Sequence, residues 1–370
     1  MRAVAELDAA IQPQEPTPME IDRQSAPPAS AIPAHVIVEQ RGSWSRWSSR
    51  LAWIVASLSL VAAIGSAGAF AQYFQRDARV VEKYHSLSKT AAAKVAIVNV
   101  SGAIMSGEGF ARAQLDQVAD DETVKAIVLR IDSPGGTVSG SDELHHRLSQ
   151  LAKSRDLPVV VSMGGIAASG GYYIAMANGG REDVIFAEPA TLTGSIGVII
   201  PHFDVSQLLK RFDVRDDSIA SGPLKEMLSP TKDRTPELAD RERRLLKSLV
   251  DEMFKRFKEI VKLGRPKLGD EEVEKIATGQ IFTAQQAFEA GLVDKIGFLE
   301  DAVTRAVALA GLDEKTARVV KYTKPKGLLD EVLGGEPAAS SNLTLESFAE
   351  FTTPRGWYLC SWWPALVRSE

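Results

Sequence analysis

Three short segments concentrate residues that could do chemistry. The first is Gly164-Gly165-Ile166-Ala167-Ala168-Ser169-Gly170-Gly171-Tyr172-Tyr173. It follows an apolar run and opens a helical pattern. Small residues on both sides of Ser169 let another backbone come close. A serine at a helix start sits where partial positive charge favours an alkoxide or oxyanion. By spacing alone an ordinary N-cap serine explains it better, because this is not a G-x-S-x-G elbow. The second is Asp132-Ser133-Pro134-Gly135-Gly136. It leaves the end of a strand, where open α/β sheets place their sites. Its glycine amides could face a developing oxyanion, or they could simply make the turn. A phosphate loop ranks low, since the Walker lysine is missing. The third is Ser221-Gly222-Pro223-Leu224-Lys225-Glu226. A lysine serves as a base only when its amine is neutral, which takes desolvation. The plainer expectation is a surface lysine beside Glu226. A fourth stretch, Thr191 to Gly197, offers Ser195 as a hydroxyl that could aim a lysine, or as part of a strand-start turn.

The elements that would hold these residues can be read from periodicity. Val95–Val100, Ala126–Ile131, Val159–Met163 and Val184–Phe186 are short apolar runs, and helical patterns start near Phe110, Ser139 and Ser169. Strands alternating with helices imply an α/β fold with a parallel or mixed sheet. Residues 235–263 form a long charged helix with Leu245, Leu249, Met253, Phe257 and Ile260 at helical spacing. It is expected to pack on the sheet or on a neighbouring subunit.

Outside this region the texture changes. Residues 1–40, rich in Pro, Ala and acidic side chains, read as a disordered tail. Residues 51–74 carry no charge and are long enough to cross a bilayer as a helix, with Trp44, Trp47, Trp53 and Tyr73 near the ends. A cleavable signal is the competing reading, through Ala69-Phe70-Ala71. Arg41, Arg46 and Arg50 before the span balance Arg76, Arg79 and Lys83 after it, so charge does not orient it. Residues 75–93 read as a linker, 94–322 as the catalytic domain and 323–370 as a C-terminal tail. That tail carries Trp357, Tyr358, Trp362 and Trp363, which could pack on their own domain, at a bilayer interface or in a neighbouring subunit's cleft.

Composition narrows the function. A net charge of −5 gives no footprint for nucleic acid. One cysteine, Cys360, excludes an intramolecular disulfide and a thiolate zinc cluster, and five histidines make a histidine-rich metal site a poor prospect.

Taken in order, the motifs resemble the signal peptide peptidase A family, Ser–Lys peptidases related in fold to the Clp protease and crotonase group. They are Ile131 to Gly136, Met163 to Tyr173, Thr193 to Gly197 and Ser221-Gly222 with Lys225. The last comprises Gly279-Gln280-Ile281-Phe282, Ala287, Gly291 to Asp294 and Gly297. The resemblance covers roughly residues 94–312. It implies Ser169 as nucleophile, Lys225 as general base, Ser195 as the hydroxyl that orients the lysine, and the amides of Gly136 and Gly170 as the oxyanion hole. Gln280 stands where family members often carry arginine, at a position expected to lie away from the chemistry. The resemblance further implies a single-copy, short-form enzyme with no metal or organic cofactor. Its partners would be peptide substrates such as signal peptide remnants, membrane lipid, and copies of itself, with an octamer the favoured count. In such rings a base from one subunit serves a nucleophile on the next. The chain would sit in the bacterial inner membrane with a cytoplasmic N-terminus and an extracytoplasmic catalytic domain. Two rivals remain at this point: a Ser–His–Asp peptidase using His202, and an inactive peptide-binding membrane scaffold. An acyl-CoA enzyme of the crotonase type is a more distant one.

Overall fold

The apolar, β-branched runs set the sheet. A computed structural model of the chain describes residues 50–63, 66, 80–325 and 356–359. The chain divides into two units, Met1–Tyr73 and Phe74–Glu370.

In the first unit a helix, α1, covers residues 50–63, and its apolar side chains Leu51, Trp53, Leu58, Leu60 and Val61 are exposed. Among the described residues no helix is long and apolar enough to cross a membrane. Apart from Ser66, the rest of the 51–74 span lies outside the described residues, as do the 1–40 tail and most of the C-terminal tail.

In the second unit the order is β1 (Val81–Leu87), β2 (Ala93–Ser101), α2 (Phe110–Asp120), β3 (Val124–Ser133), β4 (Gly135–Thr137), α3 (Val138–Ser154), β5 (Val159–Ala168) and α4 (Gly170–Ala175). Then come β6 (Ile185–Ala187), β7 (Leu192–Gly194), α5 (Ser206–Arg211), α6 (Pro236–Gly264), α7 (Asp270–Ile276), β8 (Ile281–Thr283), α8 (Ala284–Glu289), β9 (Lys295–Ile296), α9 (Leu299–Leu309), β10 (Ala317–Thr323) and β11 (Trp357–Leu359). The main sheet runs β1-β10-β2-β3-β5-β6-β9, with β7 paired to both β5 and β8. All pairs are parallel except β1 with β10 and β7 with β8. The molecule is therefore mixed α/β with a mostly parallel central sheet.

Burial explains why β3 reads as an unbroken apolar run. Ala126 to Leu129 and Ile131 are all buried, because helices cover both faces of a parallel strand. β1 falls inside the segment expected as a linker. It is an edge strand, exposed along Val81 to Tyr84, so its sequence lacks an apolar run that would announce it. Three helices, α3, α6 and α8, begin at a threonine whose side chain caps them. Thr137 accepts from the Gly140 amide, Thr235 from the Leu238 amide with Pro236 following, and Thr283 forms a reciprocal capping box with Gln286. The apolar burial of α6 lies in its C-terminal half, through Phe257, Ile260 and Val261; Leu245 and Leu249 on the same row are exposed, and Glu242 is the buried residue of the N-terminal half.

Candidate active site

Ser169 stands between β5 and α4, at the C-terminal end of a parallel strand. It occupies the N-cap position, yet its side chain makes no capping bond. Its backbone sits at φ 54°, ψ −112°, a conformation costly for a residue with a Cβ. The side chain is fully buried, and Oγ has no hydrogen-bond partner among the described residues. The N-cap explanation therefore fails. A strained, buried and unpaired hydroxyl is what a positioned nucleophile looks like.

The backbone around Ser169 is fixed from the next strand. Ala168 pairs with Gly194, and the Ser169 amide donates to the Gly194 carbonyl at 2.7 Å. Ser195, one residue on, is nearly buried and also has positive φ, 52°. Its amide donates to the Gln280 carbonyl at 2.7 Å. Position 280 is thus beside the site through its backbone, contrary to its expected remoteness. The antiparallel pairing of β7 with β8 brings it there. Ser195 also lines a cavity of about 370 Å³ with Ile196, Gly197, Lys247, Asp251 and Thr278.

Gly136 and Gly170 are close neighbours. A Cβ on Gly170 would lie 3.1 Å from the Gly136 nitrogen and 2.3 Å from Ser141 Oγ. A Cβ on Gly136 would meet the Ile104 carbonyl oxygen at 1.9 Å, and Gly135 has φ +102°. Close backbone approach requires glycine at Gly135 and Gly136, and the Ser141 hydroxyl crowds Gly170. The Gly136 backbone thus adjoins Gly170, the residue that follows Ser169. Ser141, whose hydroxyl donates to the Thr137 carbonyl, carried no sequence signal.

No hydrogen bond joins Lys225 to the Ser169 hydroxyl among the described residues. It is exposed on a turn-rich segment, and its amide donates to the Gly222 carbonyl. It does not pair with Glu226, whose carboxylate is taken by Lys232 at 3.0 Å. The segment is held from behind by Arg234, which donates to the Glu226 and Ser229 carbonyls and pairs with Glu242 on α6 at 2.7 Å, both side chains nearly buried. His202 is exposed.

The pattern of peptidase family S49 matches residues 151–313. A Synechocystis protein named as a protease is 41% identical over 243 residues, covering 66% of this chain and 84% of the relative. Protease 4 of Salmonella typhi is 36% identical over 64% of this chain, and an Enterococcus faecium relative named as a signal peptide peptidase SppA is 38% identical over 51%. The chain spans only 38% and 52% of those two proteins. A serine peptidase is the class that this sheet, this serine and these matches define. The chain belongs to peptidase family S49, among the signal peptide peptidase A proteins, and its sheet with flanking helices fits the Clp/crotonase-like fold of that family.

Proposed function

We propose that the protein is a membrane-anchored serine endopeptidase that degrades cleaved signal peptides and other extended peptides through a Ser169–Lys225 dyad. The observation that carries this reading is the uncapped, fully buried Ser169 hydroxyl beside the Gly136 and Gly170 amides. Neutral Lys225 takes the Oγ proton as Oγ attacks the peptide carbonyl. The two amides hold the oxyanion, and the lysine ammonium returns the proton to the leaving amine. Water then hydrolyses the acyl-enzyme by the same exchange. Ser195 orients the lysine.

Lys225 is exposed on its own chain and has no ion pair among the described residues, which suits delivery to a neighbouring copy of Ser169 in a homo-oligomer, with eight subunits as the favoured count. Exposed Leu245 and Leu249 on α6, and Phe203, Phe212 and Ile219 on the segments flanking α5, supply apolar surface for such contacts. The uncharged 51–74 run, whose helical part leaves its apolar side chains uncovered, is the anchor. The catalytic unit then lies outside the cytoplasm of a bacterial cell, with the N-terminus inside.

The test is cleavage of a signal-peptide fragment by the full chain in detergent, compared with Ser169→Ala and Lys225→Ala, with a fluorophosphonate reporting on Ser169. Loss of cleavage in both variants and labelling only when Ser169 is present are expected. Cleavage that survives Lys225→Ala would refute the dyad, and a wild-type chain that neither cleaves nor labels would refute the peptidase assignment for this chain.

A further inference from the structure

Asp132 precedes the last residue of β3, and its side chain reaches across to β5. The two strands pair in register from Ile127 with Val159 to Ile131 with Met163, and the next pair is Ser133 with Ala167. Gly164, Gly165 and Ile166 thus oppose Asp132 alone, and β5 carries a bulge at this point. β5 also changes partner across the bulge. Val161 to Met163 pair with β6, and Ile166 to Ala168 pair with β7. Ser169 is the next residue, so the shape of the bulge sets where Ser169 lies.

Side chains tie the bulge down where the ladder lapses. Asp132 Oδ1 accepts the Ile166 amide at 3.1 Å. Thr191 Oγ1 donates to the Gly164 carbonyl and Thr193 Oγ1 to the Ala167 carbonyl, each at 2.6 Å. An added Cβ on Gly164 would lie 3.1 Å from Arg130 Nη2 and 3.3 Å from Asp132 Cγ. Arg130 is itself held, paired with Glu188 at 2.6 Å and donating to Ser162 Oγ at 2.9 Å. The small residue at position 164 therefore makes room for the Asp132 tie.

Of the three ties, the one from Asp132 joins the two halves of the candidate site. Its own strand runs on through Ser133, whose hydroxyl donates to the Gly102 carbonyl at 2.6 Å and accepts the Gly135 amide at 3.1 Å, into the turn that carries Gly136. Its carboxylate holds the strand that ends at Ser169. Thr191 and Thr193 are fully buried, whereas Asp132 is exposed. Removing the Asp132 side chain opens no core cavity and strands no buried charge. The loss then falls on the aim of Ser169.

We propose that Asp132 is a positioning residue for Ser169, acting through the Ile166 amide. The proposal rests on the peptidase reading of Ser169. What the tie needs from Asp132 is an oxygen acceptor, not a charge. The test compares Asp132→Asn, which keeps an acceptor, with Asp132→Ala, which does not, as full chains in detergent cleaving a signal-peptide fragment. Asp132→Ala should lower kcat by about 10–100-fold with KM unchanged, because a misplaced nucleophile weakens the transition state alone. The rate at which Ser169 takes a fluorophosphonate should fall with it. Asp132→Asn should stay within about threefold of the wild type in both readouts. An equal fall in the two variants, no fall in Asp132→Ala, or a rise in KM in place of the fall in kcat overturns the proposal. Should Asp132→Ala fail to fold, Asp132→Glu replaces it. Glutamate keeps the charge but shifts the oxygens by a methylene group, so its kcat should lie below that of Asp132→Asn; the reverse order overturns the proposal. If the wild-type chain neither cleaves nor labels, the peptidase reading fails, and the tie is judged by hydrogen exchange over residues 166–170. Exchange about tenfold faster in Asp132→Ala, and near wild type in Asp132→Asn, then supports it. Equal exchange in all three chains overturns it.

Discussion

The Ser169 amide is tied to the Gly194 carbonyl by a 2.7 Å hydrogen bond, so the proposed nucleophile and Ser195 are neighbours at the ends of two paired strands. Both adopt positive φ, 54° and 52°. The strain is held by the sheet, and it sets out the first expectation. Both Ser169→Gly and Ser169→Ala remove a buried unpaired hydroxyl, but only glycine also relieves a conformation worth about 1–3 kcal/mol, so Ser169→Gly should melt above Ser169→Ala. Both should lower kcat by about 10⁴–10⁶. Thermal melts and peptide hydrolysis on the same preparations check this, and equal Tm for the two variants would contradict the strain argument.

Gly170→Ala should lower kcat by about 10²–10³, because its Cβ meets Ser141 Oγ at 2.3 Å and pushes the amide out of place. Adding Ser141→Ala removes that clashing atom and should recover part of the loss. No recovery would mean the hole is damaged some other way.

The Arg234–Glu242 pair anchors the Lys225 segment to α6, so Glu242→Ala leaves a nearly buried guanidinium unpaired. A cost of about 3–5 kcal/mol is expected, falling on this segment. Activity should drop while Ser169 still takes a fluorophosphonate at a reduced rate. Hydrogen exchange would show faster opening over residues 222–234; unchanged protection there would be the contrary result.

If the lysine acts across subunits, mixing Ser169→Ala chains with Lys225→Ala chains before assembly should restore a measurable fraction of activity, since some sites then pair an intact serine with an intact lysine. His202→Ala should remain nearly fully active. A loss with His202→Ala as severe as with Lys225→Ala would instead favour a histidine base.

His145, against Tyr173, has its pKa pushed down to about 4, chiefly by burial; Arg256 and His146 push the same way, and Asp142 and the Met176 backbone oppose them. The folded state holds the ring neutral where the unfolded chain, with a value near 6.5, binds a proton. Stability is therefore complete above about pH 6.5 and declines as pH falls toward 4, by about 3 kcal/mol in all. His145→Gln should flatten that slope in urea melts between pH 4 and 7.

The strands of the core were legible because parallel strands buried on both faces read as apolar runs. The edge strand β1 was not, since half of it faces solvent. The glycine motifs pointed to close backbone approach, and the structure supplies the partners: Ile104 for Gly136, Ser141 for Gly170. The Gly291 to Asp294 motif is structural. Asp294 accepts from the Val184 and Ile185 amides and pairs with Arg265 at 2.7 Å, so it closes the edge of the sheet.

The sequence by itself determined the alternation of strands and helices, the uncharged 51–74 run, and the family motifs around Ser169 and Lys225. Those are carried by residue type and spacing along the chain. Only the tertiary structure decided that Ser169 is uncapped and buried, that Gln280 reaches Ser195 through its backbone, that Lys225 is exposed, and that Tyr358 packs against Tyr173 and Phe257. Each of these depends on contacts between segments far apart in sequence, and local propensity carries no term for such contacts.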